Sequence, residues 1–192
     1  IILDRSIDNT KKISKKYTDK IYEGSWESEG KRRNYGLSKC KSKWIFEIDA
    51  DEFVSRPLVN EIKNKIKYGN ADFFYLPLLN YLGVKPVKHG WMACLAPDGK
   101  FSLFKKKCKK WLAGSVHPQY RMKGKKGKTF DNHLDHFMSK SLSDLLIRFD
   151  RNTSLNAIDI RRNNKNIKKF LSKRKIISRF IKSFFVRRGF MS

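Results

Sequence analysis

Trp44-Ile45-Phe46-Glu47-Ile48-Asp49-Ala50-Asp51-Glu52-Phe53-Val54 opens as a strand and ends as an acidic turn. Aromatic and β-branched side chains dominate its first half, with Trp44, Phe46 and Ile48 alternating with Ile45 and Glu47. Its second half puts Asp49, Asp51 and Glu52 within four residues. Carboxylates that close repel one another unless a cation compensates. An apolar strand that delivers an Asp-x-Asp to its C-terminal end therefore points to a divalent metal, at the sheet edge where α/β folds bind ligands. Hard oxygen donors suit Mg²⁺ or Mn²⁺. On these residues alone, a strand followed by a solvated acidic turn stays open.

The flanking chain narrows the choice. Its 192 residues suffice for one domain with a real core, and 40% hydrophobic and 13% aromatic content fit a folded chain. Lys and Arg number 44 against 18 Asp and Glu, a net charge of +26 that favours anionic partners. Cys40, Cys94 and Cys108 are odd in number and widely spaced, with no CxxC, which suggests a reducing compartment. No uncharged apolar run approaches the roughly 20 residues that span a bilayer. The chain starts at Ile1, already inside an apolar strand-like run, and so reads as a fragment.

Taken in order, residues 1–3 read as a strand end, 4–10 as an acidic loop, 11–17 as a helix and 20–22 as a short strand. Residues 30–40 read as a helix leading into the strand at Trp44. That rhythm is the βαβαβ alternation of an open, mostly parallel sheet flanked by helices. The Asp4 and Asp49 loops would emerge at one sheet edge, with Arg32 and Arg33 nearby: carboxylates for ribose and metal, guanidinium for phosphate. Neither a G-x-G-x-x-G nor a P-loop pattern is present.

Asp4-Arg5-Ser6-Ile7-Asp8-Asn9-Thr10 resembles the DSGSTDGT loop of family 2 glycosyltransferases with one residue missing. Gly30-Lys31-Arg32-Arg33-Asn34-Tyr35-Gly36-Leu37 resembles their G…RNxAL helix, and the Trp44 stretch their DWILxLDADE strand. Order and approximate spacing agree, and the lipopolysaccharide-core glucosyltransferase subgroup is the most similar in pattern. The resemblance implies a GT-A (Rossmann-like) fold over residues 1–140, lacking its first strand and helix. It implies a nucleotide-diphosphate sugar held by Asp4, Asp8, Arg33 and Asp49, and a metal on Asp49 and Asp51. It also implies inverting transfer to a membrane glycolipid, on the inner face of the cytoplasmic membrane.

Further on, residues 58–66 have helical spacing, 71–79 read as one apolar strand, and 81–97 as an irregular loop carrying His89 and Trp91 as possible acceptor contacts. Phe101 to Lys105 and Gly114 to His117 resemble the subgroup's RLFR and GxVHE elements, but Pro118 stands where the family has Glu. His117 is then the candidate acceptor base, with a packed structural histidine as the simpler reading. His133 and His136, three apart with no Cys partner, make a poor zinc pair. His136 matches a family strand-end histidine and is the candidate third metal ligand.

No acidic residue lies between Asp98 and Asp131, and none within 161–188, where twelve residues are Lys or Arg. There Ile177, Phe180, Ile181, Phe184 and Phe185 make an apolar helical stripe opposite the basic residues. A basic amphipathic helix in a 141–192 extension suggests an anionic membrane surface. The alternative is a stripe packed on the domain. Arg187 to Met191 resembles the subgroup's RRGFLDG segment, so the chain reads as cut at both ends. A nucleic-acid-binding module is the rival that the charge favours, but it calls for aromatics interleaved with the basic runs, so no nucleic-acid partner is expected. An inactive glycosyltransferase fragment is the other alternative.

Overall fold

The computed structural model describes residues 1–90, 99–112, 118–162 and 172–191. Strand β1 (Ile2–Asp4) runs parallel to β2 (Tyr22–Gly24), with Asp4 opposite Gly24. Helix α1 (Thr10–Ser14) lies between them in sequence. Helix α2 (Glu29–Lys39) follows, its first turn capped by Ser28 Oγ, which accepts from Lys31 N at 3.3 Å. Strand β3 (Trp44–Phe46) then leads through the acidic turn to the two-residue β4 (Glu52–Phe53). Ser55 caps α3 (Arg56–Tyr68), and Pro57 sits in its first turn, where a missing N–H leaves no helical bond unmade.

The apolar run at 71–79 is two strands, not one. Pro77 lacks the N–H a ladder needs, and the chain changes sheets there. On one side, β5 (Phe73–Leu76) pairs with β8 (Lys100–Lys105), which pairs with β3, giving the order β3-β8-β5. On the other side, β6 (Leu78–Leu82) lies between β7 (Lys85–Val87) and β11 (Leu134–Ser139), giving the order β4-β11-β6-β7. The Pro77 carbonyl is not wasted: it accepts from Leu134 N at 2.9 Å. The stretch from residue 81 is also more regular than its Gly and Pro content suggests. Tyr81 and Leu82 continue β6, and a turn at Gly83 (φ 58°) sends β7 back along it. Residues 91–98, including Trp91, lie outside the described residues. A fourth sheet is the hairpin of β9 (Lys109–Trp111) and β10 (Tyr120–Met122).

The expected mostly parallel sheet is thus a mixed set. Between named strands, β1–β2 and β6–β11 are parallel and the other described pairings antiparallel, and one isolated parallel bridge joins Phe73 to Lys126. Strand–helix alternation reports a parallel sheet only where consecutive strands are neighbours. Here β3's neighbour is β8, which returns from far along the chain in the opposite sense.

The main core lies between α3 and these sheets: Leu58 and Ile62 pack with Phe74, Leu76, Leu103, Phe130 and Leu134. Leu58, Leu76 and Leu134 are fully buried. Past β11, α4 (Leu142–Arg162) buries Leu145 and leaves Leu142, Leu146 and Ile147 exposed. Helix α5 (Lys173–Ile181) buries no residue and continues into a π-helical turn, Lys182–Val186. Among the described residues no helix is long and apolar enough to cross a membrane.

Helix α2 is pressed against the β9–β10 hairpin. Asn34 clamps Trp111 from both sides: its Nδ2 donates to Trp111 O at 2.9 Å, and its Oδ1 accepts from Trp111 N at 3.0 Å. The approach needs a glycine at the helix start, since a Cβ on Gly30 would sit 2.0 Å from Leu112 O. Gly30→Ala is therefore expected to destabilise the chain by about 3 kcal/mol, because backbone must move to admit the methyl. Denaturant unfolding checks this; a change below about 0.5 kcal/mol would mean α2 is not held against the hairpin.

Candidate active site

Helix α2 carries two adjacent arginines toward two acidic loops. Arg32 Nη1 lies 3.5 Å from Asp4 at the end of β1, and Asp4 also accepts from Arg5 Nε at 3.0 Å. Arg33, with a side chain only 16% exposed, meets three carboxylates: Glu29 at 2.7 Å, Glu47 at 2.9 Å and Asp49 at 2.9 Å. Its guanidinium stacks 4.7 Å above the Trp111 ring. Burial opposes that charge, but Asp49, Glu29 and Glu47 outweigh it and hold the group more firmly protonated than an ordinary arginine.

Two lysines extend the row. Lys100 Nζ lies 3.1 Å from Asp49 Oδ2 and 2.6 Å from Glu52 Oε2. Glu52 Oε2 also accepts from Asp49 N at 2.8 Å, closing the acidic turn on itself. Lys109 is buried, its Nζ 2.8 Å from Glu47 and 2.9 Å from Phe101 O, beneath the faces of Trp111, Tyr120 and Phe104. Charges therefore alternate along a row, Lys109, Glu47, Arg33, Asp49, Lys100, Glu52, with Asp49 the most exposed and the two ends buried. Burial alone would raise Asp49, yet Lys100 and Arg33 keep its carboxyl below the usual carboxylate range. Glu52 goes the other way, pushed up by burial that Lys100 offsets only in part.

Desolvation lowers the Lys109 pKa to about 8 despite Glu47. From about 8 to the ordinary lysine value of 10.5, the unfolded chain holds a proton that the folded chain has released. Stability contributed at this site therefore rises with pH across that window. The unaltered chain should gain on the order of 2 kcal/mol relative to Lys109→Met between about pH 7 and about pH 10, measured by urea unfolding of both. Parallel pH profiles would contradict the buried-lysine account.

The second half of the Asp-x-Asp stands apart. Asp51 is tied by its backbone, whose carbonyl accepts from Phe137 N at 2.8 Å, and its side chain is 40% exposed. His136 Nε2 lies 3.6 Å from Asp51 Oδ2, and the imidazole holds that carboxyl below its usual range. On its other side His136 Nδ1 is 2.8 Å from Asn80 Oδ1.

Of the residues singled out by sequence, Arg33 and Asp49 touch directly, as do Asp51 and His136. Asp4 joins them only through α2. Asp8 is fully exposed and accepts from Thr10 N at 3.0 Å and the Ser6 hydroxyl at 3.1 Å, a local turn that lowers its pKa. His117 lies outside the described residues. Sequence reasoning passed over Lys100, Lys109 and Asn80. Two are lysines in a lysine-rich chain and the third lies in an apolar run, so none stood out. Glu47, a charge inside an apolar strand, was the available signal.

A divalent metal was expected on Asp49, Asp51 and His136. Asp49 is instead matched by Arg33 and Lys100, and among the described residues no group of three or more His, Cys, Asp or Glu is assembled for a metal. Asp51 and His136 remain a facing oxygen–nitrogen pair, two residues along the turn from the ion-paired Arg33, Asp49 and Lys100. Mg²⁺ and Mn²⁺ commonly take one or two protein ligands and complete their shell with substrate phosphates and water, so this donor set fits such an ion.

Comparison with curated proteins finds no match. A protein-family model, Glycosyl transferase family 2, matches residues 1–119, the part that carries the acidic turn, α2 and the Lys100–Lys109 strands. That family brings with it a GT-A α/β fold and the use of a sugar donor and an acceptor. The chain belongs to glycosyltransferase family 2.

Proposed function

We propose that this glycosyltransferase moves a sugar from a nucleotide-diphosphate donor to a hydroxyl of a membrane glycolipid of the lipopolysaccharide-core type, with inversion and with metal assistance. The observation that carries the reading is the Arg33–Asp49–Lys100 group, followed two residues along the same acidic turn by the Asp51–His136 pair. Cations there suit a diphosphate. Asp51 and His136 would hold the metal, which supplies Lewis-acid stabilisation of the leaving diphosphate. Asp4 and Asp49 would face the nucleoside and Arg33 the phosphates. In the transfer, the bond from the sugar's anomeric carbon to the phosphate oxygen breaks and the diphosphate takes the electron pair. The acceptor oxygen forms the new bond from the opposite face, and its proton goes to a base. With Pro118 in place of the family's Glu, His117 is our candidate for that base.

The membrane part of the proposal is supported by the chain after 141, which we read as a helical extension of the 1–140 catalytic domain. Ile177, Phe180, Phe185 and Phe190 are each more than half exposed there, beside Arg174, Arg179 and Lys182. A groove of about 720 Å³ lined by Ile177, Ile181 and Val186, with Arg174 and Lys182 on its wall, has the chemistry for an acyl chain below an anionic headgroup. Residues 163–171 of the proposed 161–188 contact lie outside the described residues. The enzyme would work as a peripheral protein at the inner face of the cytoplasmic membrane.

The test is transfer itself: Mn²⁺, a panel of nucleotide-diphosphate sugars and a core glycolipid in anionic vesicles, with the product's anomeric configuration read by NMR. Inverted sugar on the glycolipid supports the proposal. Donor hydrolysis to free sugar alone, or transfer with retained configuration, contradicts it.

A further inference from the structure

Three adjacent strands align three polar side chains. In the order β4-β11-β6, Glu52 lies opposite His136, and His136 lies opposite Asn80. Asn80 is 2% exposed in a strand whose other residues are Leu and Tyr. A carboxamide buried there costs free energy unless its hydrogen bonds are made. Its Oδ1, which can only accept, lies 2.8 Å from His136 Nδ1. Nδ1 must then be the protonated nitrogen of the neutral ring, leaving the lone pair on Nε2. That lone pair faces Asp51 Oδ2 across 3.6 Å. In the neutral ring two acceptors then face each other across this gap, so it favours positive charge, supplied either by a proton on Nε2 or by a cation between them.

We propose that Asn80 is the positioning residue of this edge. It touches neither donor nor cation, but fixes the tautomer and orientation of His136 so that Nε2 is presented with Asp51 to a divalent ion. Its link to the metal rests on the metal-assisted reading above; the tautomer does not. Such outer partners orient the ligand and raise its basicity. The sheet register supplies the arrangement: slipping β6 by one residue would turn Asn80 to the opposite face and remove the partner.

The chain has four histidines, so long-range ¹H–¹⁵N NMR on metal-free protein, above the usual histidine pKa range, resolves them; His136→Gln identifies the signal. The unaltered chain should show His136 protonated on Nδ1. Asn80→Leu should move the proton to Nε2 and weaken Mn²⁺ binding, followed by electron paramagnetic resonance, about 10–100-fold. Asn80→Asp keeps an acceptor in place, and should keep the tautomer and hold Mn²⁺ affinity within about threefold. An unaltered chain protonated on Nε2 overturns the proposal, and that result needs no variant to fold. A tautomer that does not respond to Asn80→Leu overturns it too, as does an unchanged Mn²⁺ affinity. Should the unaltered chain bind no Mn²⁺, the metal reading of Asp51 fails, and the tautomer alone decides on Asn80.

Discussion

Arg33→Met should destabilise the chain by about 3–5 kcal/mol and abolish donor binding. Methionine fills much of the same space and keeps the contact with Trp111, so the loss isolates the charge. Without the guanidinium, Glu29 has no cation among its described partners, Glu47 keeps only Lys109, and Asp49 keeps only Lys100. A buried carboxylate stripped of its partner bears its full desolvation cost. Against a typical domain stability of about 5–15 kcal/mol, that is a large fraction. Arg33→Lys should recover only part, because an ammonium cannot reach three carboxylates as a planar five-donor fork does. Denaturant unfolding gives the number. A loss under about 1 kcal/mol would show that the row of charges behaves as a screened surface arrangement.

The second large effect separates function from stability. Asp51→Asn should lower the rate of sugar transfer by about 100–1,000-fold while leaving stability within about 1 kcal/mol. The side chain is 40% exposed, its one ion-pair partner among the described residues is His136 at 3.6 Å, and its backbone bond to Phe137 survives the change. Asparagine preserves shape but removes the charge that would hold the metal. Steady-state kinetics on refolded, unfolding-tested protein provides the check. Equal losses of stability and activity would instead make Asp51 a structural residue.

The legible part of this protein was its first fifty residues. There the local elements agree with the structure: a β-branched, aromatic strand and a capped helix with two arginines, although Asp49 of the acidic turn takes its counter-charge from Arg33 and Lys100 where a metal was expected. Two things escaped. Strand orientation is not written in a periodicity of two, so β3 gave no sign that it pairs with an antiparallel strand from residues 100–105. Pro77 was a readable mark, since a strand cannot carry a proline through a ladder; it divides the apolar run between two sheets. The site's other half escaped for a different reason. Lys100 and Lys109 look like every other lysine in a chain of +26 charge until tertiary contacts bury them among carboxylates and aromatic rings. Asn80 acquires its role only from the register that sets it opposite His136. Asp8 is the opposite case: a motif position whose side chain is engaged with its own loop.

The proposed donor site is built from Arg33, Asp49 and Lys100 together with the Asp51–His136 pair. Its function is read most directly by calorimetric titration of nucleotide-diphosphate sugars into the chain, with and without Mn²⁺, using Asp51→Ala as the comparison. The account predicts binding that strengthens with Mn²⁺ in the unaltered chain and loses that metal dependence in the variant. Absence of binding by the folded, unaltered chain, or binding equally metal-dependent in both proteins, would contradict it.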